Sequence, residues 1–338
     1  MPAEWEPHHG TWFSWPRRDG MSFPGRYDAV PPVYATLIRH LVDHEEVNIN
    51  VWDEAMAEEV TRYLIAQKVP MLRVHLHPFP AYEPWCRDHG PIFLVRDQFG
   101  GPRERAVIDW GYNAWGGKYP PYDLDDQVPQ HIARLRGLRL FSPSMILEGG
   151  SIDVNGCGTL LTTESCLLHP NRNPTLSQSE ISAVLREHLG VRKIIWLGEG
   201  IVGDDTDGHV DDLARFINPT TIVTVVEENI DDANYQPLQE NLRRLRMERD
   251  QSDHLFRIIK LPMPRMIESQ GQRLPASYAN FYIANGIVLV PTFRDPNDRI
   301  ALETLQKAMP DRRVMGVDST DLIWGLGSFH CISQQEPA

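Results

Sequence analysis

Apolar and polar positions change period along the chain at regular intervals. From Met145 to Val154 they alternate as in a strand with one buried face, Asn155-Gly156 supplies a turn, and Thr159 to Thr163 resumes the alternation. Ser177-Gln178-Ser179-Glu180 is a capping box, followed by Ile181, Val184, Leu185 and Leu189 at helical spacing and then by a buried strand, Lys193 to Leu197. This strand, strand, helix, strand pattern recurs. One copy runs His209 to Ile217, a turn at Asn218-Pro219, Thr221 to Val226, a helix over Asp232 to Arg249, and Leu255 to Leu261. Another runs Ser277 to Ala284, a turn at Asn285-Gly286, Ile287 to Phe293, a helix from Asn297 to Met309, and Arg312 to Val317.

A weaker copy lies upstream, with Gly90 to Arg96, Arg105 to Trp110, a helix over Asp125 to Leu135, and Leu138 to Phe141. The final strand, Ser328 to Ser333, has no helix after it. The N-terminal strand Thr11 to Trp15, the helix Val33 to His44 and the strand Val47 to Val51 complete it, which closes the chain on itself. Roughly five units of about 60 residues therefore fill residues 1–338, and the expected organisation is an α/β chain of five pseudo-symmetric ββαβ units in a single closed catalytic domain.

Composition narrows the function. The chain has 338 residues and a net charge of −13, and its densest basic stretch, Arg243 to Arg265, is interleaved with Glu248, Asp250 and Asp253. Such a field repels phosphate backbones and attracts small cations, so a nucleic-acid partner is not expected and a small cationic substrate is. No run of apolar residues is long enough to span a membrane, and Met1-Pro2-Ala3-Glu4-Trp5-Glu6 lacks the pattern of a secretory leader, so no membrane partner and a cytoplasmic location are expected. The sequence leaves a homo-oligomer open. Cys86, Cys157, Cys166 and Cys331 form no C-x-x-C pair, so reduced thiols are expected, each open to chemical use.

Each unit opens on a polar, Gly-rich head: Trp85-Cys86-Arg87-Asp88, Glu148-Gly149-Gly150, Gly208-His209-Val210-Asp211 and Gly327-Ser328-Phe329-His330-Cys331. Asp88 and Glu148 are 60 residues apart, Glu148 and His209 are 61 apart, and His209 and Cys331 are separated by two such periods, 122 residues. In a closed ring of equivalent units these positions meet on the axis. A thiol, an imidazole and several carboxylates in one pocket suggest nucleophilic catalysis with histidine as proton carrier. The carboxylates favour a planar cation, because guanidinium presents a fork of donors that matches them. On a strand, Asp211 and His209 would project from one face.

Several blocks of the sequence carry a resemblance. Pro2-Ala3-Glu4-Trp5-Glu6-Pro7-His8-His9-Gly10-Thr11-Trp12, Trp85-x-Arg87-Asp88-x-Gly90-Pro91, Asn113-Ala114-Trp115-Gly116-Gly117, Glu148-Gly149-Gly150-Ser151-Ile152, Gly208 to Arg215, Ser277-Tyr278-x-Asn280-Phe281-Tyr282 and His330-Cys331-Ile332-x-Gln334-Gln335 together resemble the agmatine deiminases, in the bacterial peptidylarginine deiminase-like branch of the guanidino-group-modifying enzymes. The resemblance spans nearly the whole chain. It implies the pentein-type α/β propeller around a central pocket, and metal- and cofactor-free hydrolysis of agmatine to N-carbamoylputrescine and ammonia through a covalent thiouronium on cysteine. It further implies Cys331 as nucleophile, His209 as general acid/base, Asp88 and Asp211 as the guanidinium carboxylates, Glu148 as the acid orienting histidine and substrate, and Trp85 as a wall of the pocket. The sequence departs from the family pattern at Leu326, Ser328 and Phe329, beside the nucleophile, and in the stretch between Pro264 and Ser277, which is shorter than usual.

Other residues have plainer readings. Asp204 and Asp205 read as a solvated loop, and Trp110, Tyr112 and Trp115 as core or a covering loop. His330 is expected to face away from Cys331 as a structural residue, and Cys86, Cys157 and Cys166 to be buried and inert. Arg87 is expected to face away from the pocket, which leaves the heads without a cation for an α-carboxylate. The alternatives are a deiminase of another guanidino compound or of peptidyl-arginine, an amidino transferase, a metal-dependent hydrolase with His209, Asp211 and Glu148 as ligands, and a silent pentein that only binds cations.

Overall fold

The computed structural model describes residues 1–98 and 100–338. Five small sheets recur in the expected order: an antiparallel pair first, then a helical crossover to a parallel third strand. Asp153–Val154, Thr159–Thr163 and Lys193–Leu197 form one, with the helix Gln178–Leu189 between the last two. Ala214–Asn218, Thr221–Val226 and Arg257–Pro262 form the next around Tyr235–Met247, and Tyr282–Ala284, Ile287–Thr292 and Arg313–Asp318 the next around Asn297–Ala308. The upstream unit pairs Ile92–Arg96, Glu104–Ile108 and Arg139–Phe141 around Val128–Arg136.

The two chain ends build the remaining unit. Ser333–Pro337 runs antiparallel to His8–Ser14, which lies parallel to Glu46–Asn50 across the helix Pro31–Leu41. A second helix, Glu54–Ala66, then adds a fourth strand, Val74–His77, that the periodicity did not predict. The helix buries only Val60 and Leu64, and the strand buries only Val74, so neither has a long apolar stripe to read. Contacts run from unit to unit around the molecule and return from Arg313–Asp318 to Pro31–Leu41. The arrangement is the five-unit α/β propeller of the pentein type.

The polar heads are not strands. Cys86–His89 is a single helical turn, and Gly149–Ser151 and Val210–Asp212 are single 3-10 turns entered from Glu148 and His209. Ser328 to Ile332 is also turn, and the last strand begins only at Ser333. The strands expected from Met145, His209, Ser277 and Ser328 are therefore shorter at their starts. A turn bends the chain inward at the axis and aims a side chain there, which a continuous strand would carry past.

Candidate active site

Asp88 lies in the turn Cys86–His89, whose chain direction is fixed by Arg87 N–H donating to the Cys331 carbonyl at 3.0 Å. One Asp88 oxygen accepts from Gly150 N–H at 3.0 Å and lies 3.5 Å from His209 Nδ1. The other accepts from Trp115 Nε1–H at 2.9 Å. A Cβ placed on Gly150 would sit 2.6 Å from His209 Nδ1, 2.7 Å from Asp88 Oδ1 and 3.1 Å from Asp211 Oδ2. Three heads thus converge on one glycine, and only a residue without a side chain fits there.

Cys331 completes the cluster. Its sulfur lies 3.7 Å from Asp211 Oδ2 and receives the Asn280 side-chain amide at 3.0 Å. The Asn280 side-chain carbonyl oxygen in turn accepts from the backbone N–H groups of His330 and Cys331 at 3.0 and 3.3 Å, which fixes the turn that carries Cys331. Glu148 is fully buried and takes Arg172 Nε–H at 2.7 Å, while Arg172 also reaches Asp207 at 2.5 Å. Both ring nitrogens of His209, Glu148 Oε2 and Asp211 Oδ1 have no hydrogen-bond partner, although each residue is fully buried. Unsatisfied buried polar atoms are costly, and several in one place mark a site built to be completed by a ligand.

A cavity of about 270 Å³ leads to this cluster, with Asp88 and Cys331 at its floor and Trp85, Trp115 and Leu326 among its walls. Trp85 is anchored by Nε1–H donating to Ser22 Oγ at 2.8 Å, and a Cβ on Gly327 would lie 2.4 Å from its ring. Leu326 adopts a left-handed φ of 71°, a conformation costly for a branched side chain and found where a loop is over-determined by its surroundings.

The electrostatics are those of a buried anionic pocket. Burial, with Asp211 and Glu148 nearby, pushes Asp88 up to about 6 although His209 opposes the shift. Burial favours neutral His209, but Asp88, Cys166 and Glu148 outweigh it and hold the imidazole well above its ordinary pKa. Burial pushes the Cys331 thiol well up, and Asp211, Asp212 and Asp88 push it further. Burial would also raise Asp211, but the hydrogen bond and charge of His330 hold it below the ordinary carboxylate range.

Of the predicted residues, Trp85, Asp88 and Cys331 line the cavity, while Glu148, His209 and Asp211 are fully buried behind them, Asp211 against Cys331 and His209 against Asp88. Several plainer readings are corrected. Trp115 is bonded to Asp88. Asp204 accepts from the His209 backbone N–H at 3.1 Å and so shapes the histidine's turn. His330 donates toward Asp211 Oδ2 at 2.7 Å rather than standing apart. Cys157 is exposed, and Cys166 is buried but lies with Glu148 and His209, their potential ligand atoms within 4.8 Å of one another. That trio and Asp211, Asp212 and Cys331 are the groupings compact enough to share a cation among the described residues, so the ligands expected of a metal hydrolase are divided between two places. Arg87 faces away, to Gln335 at 2.7 Å, but on a turn instead of a strand. Arg26, over the Trp324 ring, lines the cavity with Glu83 and Asp205, and Lys118 pairs with Asp205 at 3.5 Å, so cations are present that the heads alone did not reveal.

The sequence profile of the Porphyromonas-type peptidyl-arginine deiminase family matches residues 1–337. The agmatine deiminase of Ectopseudomonas mendocina is 36% identical over 361 residues, covering 100% of this chain and 95% of that protein. The solved agmatine deiminase of Enterococcus faecalis superposes with a TM-score of 0.91 at 34% identity, covering 100% of this chain and 95% of the other. A substrate-bound agmatine deiminase of C. jejuni gives 0.89 at 30% identity, covering 100% of this chain and 96% of the other.

Proposed function

Because this chain belongs to the Porphyromonas-type peptidyl-arginine deiminase family, alongside the agmatine deiminases, we propose that it hydrolyses the guanidino C–N bond of agmatine, giving N-carbamoylputrescine and ammonia. The observation that carries this reading is that the Cys331 thiol and Asp88 line one cavity, with Asp211, His209 and Glu148 buried directly behind them.

Asp88 and Asp211 receive the N–H groups of the guanidinium as charged partners, and Trp85 and Trp115 exclude water around it. In the free enzyme burial, together with the anionic field of Asp211, Asp212 and Asp88, keeps the proton on Cys331. A bound cation reverses that field, and the thiol ionises as the substrate arrives, releasing its proton to water. The thiolate attacks the guanidinium carbon. Protonated His209 gives its proton to the departing nitrogen, the C–N bond breaks and ammonia leaves, with the carbon held on sulfur as a thiouronium. Neutral His209 then takes a proton from water, whose oxygen attacks the same carbon. The C–S bond breaks as the remaining hydroxyl proton passes to the sulfur, which restores the Cys331 thiol and releases the carbamoyl product. Glu148, held by Arg172, keeps His209 facing the reacting carbon.

Agmatine suits the mouth because its far end is an ammonium, which Glu83 and Asp205 can receive. Arginine brings an α-carboxylate past the same acids, and Arg26, stacked on Trp324, offsets only part of that repulsion. Agmatine should therefore be preferred over arginine by about tenfold or more in kcat/KM, which needs a differential of only about 1.4 kcal/mol. Ammonia release from agmatine, arginine and a peptidyl-arginine at one salt concentration tests this. Equal rates for agmatine and arginine would withdraw agmatine as the substrate, and ammonia from none of the three would withdraw the reading altogether.

A further inference from the structure

The floor of the pocket rests on a second layer of charge that joins the two ends of the chain. His330 sits between two carboxylates: Nδ1 lies 2.7 Å from Asp211 Oδ2 and Nε2 lies 2.8 Å from Glu4 Oε2. Ionised carboxylates only accept, so both contacts are satisfied together only when both ring nitrogens carry protons. Glu4, 326 residues away in sequence, is itself enclosed. It pairs with Arg215 at 2.8 Å and with Arg87 at 3.3 Å, and it accepts from the Ile283 N–H at 2.8 Å. Arg215 also approaches Asp153 at 3.4 Å.

Glu4 and Asp211 thus hold the ring from its two sides, and a buried polar network that loses one member is costly. Asp211 has one oxygen committed to His330, while its Oδ1 has no partner. The held oxygen is the one that lies 3.7 Å from the Cys331 sulfur, so the contact sets the part of the carboxylate that faces the thiol.

We propose that His330 and Glu4 are positioning residues for the deimination: His330 clamps Asp211 Oδ2, the oxygen that faces the Cys331 sulfur, and so sets the carboxylate for the guanidinium, and Glu4 clamps His330. Neither touches substrate. The proposal rests on the reading that Asp211 receives the guanidinium. It assigns a function to the N-terminal segment, which supplies the lower clamp from outside every head.

The test is a double-mutant cycle on the full-length protein with agmatine as substrate, with the fold of each variant checked by near-ultraviolet circular dichroism and Tm. His330→Gln removes the charge and one of the two contacts, and Glu4→Gln is isosteric and keeps the packing if His330→Gln does not fold. Each single variant should raise KM and lower kcat/KM by about tenfold, and in an Asp211→Asn background each should change kcat/KM by less than about twofold, because the carboxylate they position is gone. If the same tenfold loss appears on top of Asp211→Asn, or if only Tm moves in the single variants, the relay is refuted while the role of Asp211 stands. If Asp211→Asn itself costs less than about threefold in kcat/KM, the guanidinium reading fails first and the relay falls with it.

Discussion

At the residue scale the proposed mechanism starts with Cys331 alone in the state opposite to the one needed for attack, its thiol held protonated by burial and by Asp211, Asp212 and Asp88. Asp88 must be ionised to receive a guanidinium, and burial has raised it to about 6. Its charge is therefore fully present above that value and is lost as the pH falls through it. In the proposed mechanism His209 acts first as an acid, and its raised pKa puts the loss of its proton on the alkaline side. The profile of kcat/KM, which reports the free enzyme, should fall below about pH 6 with unit slope. The acid limb of kcat should lie lower, because bound guanidinium stabilises the Asp88 anion. Rates measured from about pH 5 to 9 check this, and an acid limb of kcat/KM near an ordinary carboxylate value would contradict it. These principal groups were legible in the sequence because they recur at one period. Asn280, which donates to Cys331, was not: it lies 51 residues before the nucleophile, off that period. Arg172 and the left-handed Leu326 acquire their importance only from tertiary contacts, with Glu148 and with the loop against Trp85.

At the scale of elements, local chemistry decided what could be read. The capping box at Ser177 forms as its spacing requires, with Ser177 Oγ accepting from the Glu180 N–H, Glu180 returning a carboxylate to the Ser177 N–H, and Gly190 closing the helix at a φ of 69°. Ser177→Ala should cost about 1 kcal/mol and lower Tm by roughly 1–2 °C. Because the helix is remote from the pocket, kcat and KM should be unchanged, and a calorimetric scan beside steady-state kinetics separates the two effects. The turns at Asn155-Gly156 and Asn285-Gly286 were equally legible, since Gly156 and Gly286 take φ of 68° and 73°. The heads were misread as strand starts because Gly-rich polar stretches carry no apolar period to reveal a helical turn. The helix Glu54–Ala66 was missed for a related reason, its buried face being reduced to two side chains.

The whole molecule sets how substrate arrives and how the site is closed. With a net charge of −13 and acids at the cavity mouth, a dication should be drawn in from a distance. Raising the ionic strength from about 0.01 to 0.3 M shortens the screening length from roughly 30 Å to less than 10 Å, so kcat/KM for agmatine should fall severalfold while kcat changes little. A kcat/KM independent of salt would mean that the field does not contribute to capture. The ring itself was visible as a repeat, and its closure by pairing the C-terminal strand Ser333–Pro337 with His8–Ser14 followed from the helix missing after the last strand. The fourth strand of that sheet and the charged layer around Glu4 were hidden, because neither repeats in the other units.

The account depends most on the covalent step at Cys331, and mass spectrometry of reactions with agmatine quenched during turnover reads that step directly. The peptide carrying Cys331 should gain the mass of the substrate less ammonia, and the gain should disappear in Cys331→Ser together with all but a small residue of ammonia release. An unmodified Cys331 peptide during active turnover, or a serine variant that releases ammonia at the rate of the unaltered protein, would contradict it.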